Sequence, residues 1–212
     1  MKKIFLSIAL FSFTAAAFAQ FEGTIEFRME TKKDTTNNIY YVKGNNVKLD
    51  QIGKKSGKVE GSFVFDLTGK TIKFVNPARK VWGDHKSETP PALKGVCEVT
   101  KGKTTSMVGG KMCNEYTVTN KDENTQIVYY IANEKYDFFA PLVKLWNRKD
   151  KQSIYFNQIK DLPKGSMPMK SVETTLDTKA TMSKLEVIKM EKKAVDAATI
   201  SVPSDYKKFN NE

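Results

Sequence analysis

Histidine is nearly missing from this chain: His85 is the one imidazole in 212 residues. It lies in a polar stretch leading to Pro90-Pro91, and a metal site needs several convergent ligands, so neither ligation nor catalysis is expected of it. Cysteine is almost as scarce. Cys97 and Cys113 are the two thiols, and nothing resembles Cys-x-x-Cys, which excludes dithiol redox chemistry. There is no Gly-x-Ser-x-Gly elbow, no His-Glu-x-x-His, no Walker A loop and no dinucleotide fingerprint. The carboxylates, for example Glu26 and Glu30, read as outward-facing charges on strands. No enzyme activity, no metal and no cofactor are therefore expected. Beyond the first twenty residues no apolar run is long enough to span a bilayer, which takes about 20 residues.

The N-terminus reads as an export signal. Lys2 and Lys3 form a positive start, Ile4 to Phe13 an apolar run, and Ala17-Phe18-Ala19 a small-x-small cleavage site. Cleavage after Ala19 makes Gln20 the first mature residue. No cysteine follows directly, so a lipid-modified terminus is not expected. The remaining 193 residues (212 minus 19) show no repeat, linker or composition break, and read as one domain over 20–212. The expected location is the periplasm or the exterior.

Positive charge is in excess. The formal charge is +11, falling to about +9 once Lys2 and Lys3 are removed. Such a surface favours anionic partners and allows peripheral contact with an anionic membrane surface. Most lysines alternate with apolar residues or sit in turns, as solvated strand faces and guarded edges do. There is no compact basic block with interleaved aromatics, so no nucleic-acid partner is expected.

Almost the whole mature chain alternates like β-strand. In Phe21 to Lys32, Ile25, Phe27 and Met29 point one way while Thr24, Glu26, Arg28 and Glu30 point the other. Hairpins are expected at Gly44-Asn45 and Thr68-Gly69-Lys70, with Ile72 and Phe74 inward in the strand that follows. Gly83 to Gly95 reads as a long surface loop. Short strands are expected over 96–100 and 104–108, then over 111–120 and 125–132. Later strands are expected over 169–177, 181–192 and 198–202. One stretch breaks the pattern. From Tyr136 to Trp146, Phe138, Phe139, Leu142, Val143, Leu145 and Trp146 recur at spacings of three and four, one broad face of a helix. Asp137 is placed to cap it, and Pro141 is tolerable only in its first turn. A second helix is expected over 151–162, with Tyr155, Ile159 and Leu162 on one face. The fold class is mainly β: about ten or more antiparallel strands in a strongly curved sheet, a half-barrel covered by two helices. Leu142, Leu145 and Trp146 should face the concave side, and Lys144 and Asn147 water.

The cysteines remain open. An oxidising compartment favours a Cys97–Cys113 bond, worth roughly 3 kcal/mol for a loop of about 16 residues. If Lys101-Gly102-Lys103 and Gly109-Gly110 are both turns, however, a strand separates the two. The backbones would then lie near ~10 Å apart, beyond bridging reach.

Three stretches carry a resemblance. Gly110-Lys111-Met112-Cys113-Asn114-Glu115-Tyr116-Thr117-Val118 resembles a Gly-aromatic-x-Cys-x-x-Tyr-x-apolar motif, with Lys111 departing from its aromatic. Leu162-Pro163-Lys164-Gly165 to Val172 resembles a helix-to-strand passage, and Val202-Pro203-Ser204-Asp205-Tyr206 a closing apolar-Pro-x-x-Tyr signature. Together these resemble the exported bacterial family of domain of unknown function 4412. That family is similar in fold to the lipoprotein carriers LolA and LolB, open half-barrels with helices over the mouth. The resemblance implies a lipid or lipoprotein partner, an inference from fold alone. The expected function is a non-enzymatic envelope protein binding a hydrophobic ligand. The alternative is a structural or protein-interaction module whose half-barrel is filled by its own side chains. If the sheet is incompletely filled, the candidate cavity residues are Phe27, Phe63, Phe65, Phe74, Tyr129, Phe138, Leu142, Leu145 and Trp146.

Overall fold

The computed structural model describes residues 20–209. The expected signal peptide lies outside the described residues. Strand alternation folds as expected into a single curved, open sheet of twelve strands covered by two helices. The strands are β1 (Gly23–Thr31), β2 (Thr35–Lys43), β3 (Asn46–Ile52), β4 (Val59–Asp66), β5 (Thr71–Asn76) and β6 (Val81–His85). There follow β7 (Glu98–Val108), β8 (Lys111–Asn120), β9 (Thr125–Asn133), β10 (Ser166–Thr175), β11 (Thr181–Lys192) and β12 (Lys207–Lys208). The helices α1 (Phe139–Trp146) and α2 (Lys151–Phe156) connect β9 to β10.

The sheet order is β12-β6-β5-β4-β3-β2-β1-β11-β10-β9-β8-β7. Two meanders, β1–β6 and β7–β11, meet where β1 pairs antiparallel with β11, from Gly23 opposite Lys192 to Thr31 opposite Ser183. The short β12 adds in parallel to β6 at the outer edge. Because side chains alternate across a strand, Ile25 and Phe27 of β1, Tyr40 of β2, Leu49 of β3 and Phe65 of β4 share the concave face. The helices lie over that face. One core cluster gathers Phe21, Ile25, Leu49, Phe65, Phe138, Leu142 and Trp146. A second gathers Val118, Ile127, Tyr129, Ile131, Ile154, Tyr155 and Phe156, and Phe139 packs against both. Fully burying a side chain of the size of Leu142 contributes about 1.5–3 kcal/mol.

Several boundaries differ from expectation, each for a local reason. Lys101-Gly102-Lys103 does not turn the chain. It is an irregularity inside one long β7, where the register with β8 jumps between Lys101 and Thr105. The loop after β6 starts at Lys86, because Gly83 and His85 still pair with Phe74 and Ile72. In β5, Ile72 and Val75 are buried and Phe74 only half so. Residues 198–202 form turns rather than a strand. Helix α2 ends at Phe156, although Ile159 remains buried beyond it.

Candidate ligand cavity

The covering helices are positioned by different means. In α1, Asp137 does not cap. The N-cap position is Phe138, without a side-chain bond, and Asp137 instead pairs with Lys164 at 3.4 Å. Pro141 is the third helical residue, where its missing N–H leaves no helical bond unmade. At the other end Asn147 takes a left-handed backbone (φ 53°) and its N–H bonds the Val143 carbonyl. Two further carbonyls at this end are met by the loop after β6. Ser87 Oγ donates to Leu145 O at 2.5 Å and Glu88 N–H to Trp146 O at 3.1 Å. Asn147 Nδ2 donates to Glu88 O at 3.0 Å and Lys149 N–H to the Glu88 carboxylate at 3.2 Å.

Helix α2 is pinned by polar bonds. Asp150 caps it through Ser153 N–H at 3.0 Å. The Tyr129 hydroxyl donates to Gln152 O at 2.7 Å, beneath the helix. Gln152 Nε2 donates to Ser183 Oγ at 2.9 Å, which donates onward to Glu173 at 2.6 Å. Tyr155 OH reaches Glu123 at 2.8 Å.

Between these helices and the concave sheet lies a cavity of about 250 Å³. Ile25, Phe27, Tyr40, Leu49, Tyr129, Met167, Leu185 and Val187 line it from the sheet. Phe139, Leu142, Val143, Trp146 and Phe156 line it from the helices. Asp34 and Thr36, exposed at the β1–β2 turn, together with Gln51, Arg148 and Asp150 make a polar mouth. Arg148 Nε holds Asp150 at 2.7 Å, and its guanidinium lies 4.6 Å over the Trp146 ring. The interior carries no charge from its phenols. Burial pushes Tyr40 up to about 12, with Arg148 opposing and Asp150 adding. Burial likewise lifts Tyr129 well above the ordinary phenol range. The arrangement is an apolar pocket with a mixed-charge entrance, suited to an apolar body with a polar end.

Of the nine candidate residues, Phe27, Tyr129, Leu142 and Trp146 line this cavity. The other five fill space around it. Phe63 and Phe65 pack their rings 5.2 and 5.0 Å from Trp146. Phe138 sits against Phe21 and Tyr40 at 6.2 and 6.4 Å. Phe74 leans over Gly83, where a Cβ would stand 2.4 Å from its ring. Leu145 is half-buried against the first core cluster. On α1, Leu142 and Trp146 are buried and Lys144 is exposed, while Asn147 is half-buried as the helix cap. Sequence reasoning missed the mouth. The cue was Asp150-Lys151-Gln152-Ser153, whose aspartate three residues before serine signals a cap and hence a fixed helix start.

The two cysteines are free. Strands β7 and β8 are direct neighbours, so no strand lies between them, yet the thiols sit at opposite ends of the hairpin. Cys113 stands opposite Ser106, whereas Cys97 receives the Asn120 amide at 3.6 Å. Seven residues of strand separate Cys113 from Asn120, roughly 23 Å, far beyond bridging reach. Among the described residues no cluster of His, Cys, Asp and Glu could hold a metal, and no helix is long and apolar enough to cross a membrane.

The family model described as Domain of unknown function (DUF4412) matches residues 21–206. No curated protein matches the sequence. Among solved structures, MucB in the Pseudomonas aeruginosa MucA/MucB complex is similar in fold, with a TM-score of 0.50 and 11% identity over 89% of this chain. PNGF-II aligns with a TM-score of 0.45 and 10% identity over 87% of this chain. The LolA superfamily protein NE2245 from Nitrosomonas europaea aligns with a TM-score of 0.37 and 8% identity over 87%. The chain spans 30% of the PNGF-II chain, 58% of the MucB chain and 91% of the NE2245 chain.

Proposed function

The chain belongs to the DUF4412 family, and from that premise we propose that it is a non-enzymatic, exported envelope protein that binds a hydrophobic ligand in the concave sheet. The mature protein starts at Gln20 and forms one domain to residue 212. The observation that carries this reading is the cavity of about 250 Å³, walled mainly by apolar side chains, open at a polar mouth and left unfilled by the protein's own aromatics. Interiors are normally packed to crystal density, and a void of this size beneath a covering helix forfeits dispersion contacts that a ligand would restore. A lipid, or the acyl chains of a lipoprotein, fits an apolar pocket whose polar groups gather at one end. The acyl part would lie among Phe27, Leu49, Leu142 and Val187, with its polar end toward Arg148 and Gln51.

The test is extraction of the purified mature protein followed by mass spectrometry for bound lipid, paired with titration of a fluorescent fatty acid into the delipidated protein. Lipid recovered near one per protein, or saturable probe binding, supports the reading. An empty protein that takes up no probe removes it. A second reading, a protein-interaction module, draws on the likeness to MucB, which was solved in complex with MucA. On that reading the bound partner is a polypeptide, and the cavity stays dry.

A further inference from the structure

The outer edge formed by β6 and β12 combines aromatic rings with several cations. Trp82 is half-buried on the convex face, with Lys73 Nζ 5.0 Å and Lys208 Nζ 5.2 Å from its ring. Strand β12 places Lys207 and Lys208 along this edge, and the N–H of Phe209 bonds Trp82 O at 2.6 Å. Phe209 is 51% exposed, the one aromatic among the large exposed hydrophobics of the described residues. The turn before β6 adds exposed Arg79 and Lys80. Among the described residues of this edge, five cations thus stand against two acids. Asp205 is taken by Lys80 at 2.9 Å and Asp84 by Lys208 at 2.6 Å, leaving an excess of three positive charges.

Edge protection explains part of this. Lysines on a terminal strand discourage pairing with another sheet. It does not explain why an exposed phenylalanine and an indole sit among them, since exposed aromatics at an edge invite association. Aromatics with neighbouring ammonium groups suit the headgroup region of a bilayer, where a ring takes the apolar layer and lysine reaches the anionic phosphates. The strip is a sheet edge rather than a groove, which fits an extended array of anions better than a shaped partner.

We propose that the β6–β12 edge docks this protein onto an anionic phospholipid bilayer. The inference goes beyond ligand binding and stands if the cavity proves empty. It has a geometric corollary: β6 runs directly into Ser87 and Glu88, which hold the end of α1, so docking sets that latch beside the bilayer.

Flotation with phosphatidylcholine vesicles containing roughly one third phosphatidylglycerol, against phosphatidylcholine alone, tests the docking. The mature protein should float with the anionic vesicles, and high salt should release it. Arg79→Ala and Lys207→Ala, both at exposed positions, should each weaken binding about fivefold. Trp82→Ala combined with Phe209→Ala should weaken it further, circular dichroism showing that the fold persists. Lys54→Ala with Lys55→Ala, in the β3–β4 loop, should leave binding unchanged. Absence of flotation overturns the proposal, as does equal binding to neutral vesicles. Equal loss from the Lys54/Lys55 pair also overturns it, because net charge rather than this edge would then be responsible.

Discussion

Ser87 Oγ lies 2.5 Å from the carbonyl oxygen of Leu145, so a loop that leaves the sheet at β6 closes the C-terminal end of the helix over the cavity. A helix end left with unmet carbonyls frays, and here a residue 58 positions away prevents it. Ser87→Ala should lower global stability by only about 1 kcal/mol. Amide exchange over residues 143–147 should rise about fivefold, while the β9–β10 amides keep their protection. Exchange unchanged at the helix would show that the loop merely rests there.

Filling the cavity should separate its two readings. Val143 is half-buried on α1 and lines the cavity, so Val143→Trp should insert its ring where the proposed ligand would lie. Fatty-acid probe binding should fall at least about tenfold with a stability change within ~1.5 kcal/mol. Trp146→Ala behaves differently, because Trp146 is packed between Phe63, Phe65 and Arg148 and should cost about 3–5 kcal/mol. A probe that binds the Val143→Trp protein as before must bind elsewhere.

The thiols should remain unbonded. Burial raises the Cys97 thiol, partly offset by the Asn120 amide, and pushes Cys113 up to about 11. Denatured, non-reduced protein should show two reactive thiols. In the native state near neutral pH, Cys97 should react slowly and Cys113 only on unfolding. A mass shift of two hydrogens between reduced and non-reduced protein would refute the geometry of the β7–β8 hairpin.

Acid should loosen the anchor of α2. Burial raises the Glu123 carboxyl, but the Lys94 N–H, the Tyr155 hydroxyl and Lys151 together outweigh it and hold the group below its ordinary 4.5. A folded value below the unfolded one means the unfolded chain binds protons first as pH falls. The contribution is therefore complete above about 4.5 and is lost as pH drops through the lowered folded value. Glu123→Gln should lower the melting temperature at neutral pH and flatten its fall below 4.5. Parallel acid-side melting curves for the two proteins would exclude this carboxylate as a contributor.

Gly165 sets the strand that follows the helices. Its φ is +81°, and a Cβ there would stand 2.9 Å from the Lys135 Cα. The same glycine accepts the Tyr136 N–H, so the chain entering and the chain leaving the helical segment touch at this point. Gly165→Ala should destabilise by more than ~1 kcal/mol, read from denaturant melts at unchanged slope. Full stability in the variant would show that the backbone here is free to shift.

Much of this architecture was legible in the chain. Alternation such as Ile25-x-Phe27 marks strands because the pleat has a period of two, and the spacing from Phe138 to Trp146 marks a helix because its turn does not. What pattern cannot supply is partner choice. That Phe63 and Phe65 would be spent packing Trp146 rather than lining the cavity depends on how far the sheet curls, a property of all twelve strands together. The role of Ser87 and Glu88 depends on a contact 58 residues away and has no local signature. The separation of the two cysteines was not legible for one reason. An irregularity inside a strand and a hairpin both use glycine flanked by polar residues, and Lys101-Gly102-Lys103 suits either.

The pairing of β1 with β11 also bears on when the molecule can come together. Each meander is built from neighbours in sequence and can form hairpin by hairpin. The seam between them joins Gly23 to Lys192, 169 positions apart (192 minus 23), so its closure waits on nearly the whole chain. Long-range antiparallel pairing of this kind is slow. Until it closes, β1 and β11 each present an unpaired edge, and the concave face has no continuous wall. Completion of the concave face is thus postponed to the last stage of folding, and an export route of the kind proposed above would deliver the chain across the membrane before that stage is reached.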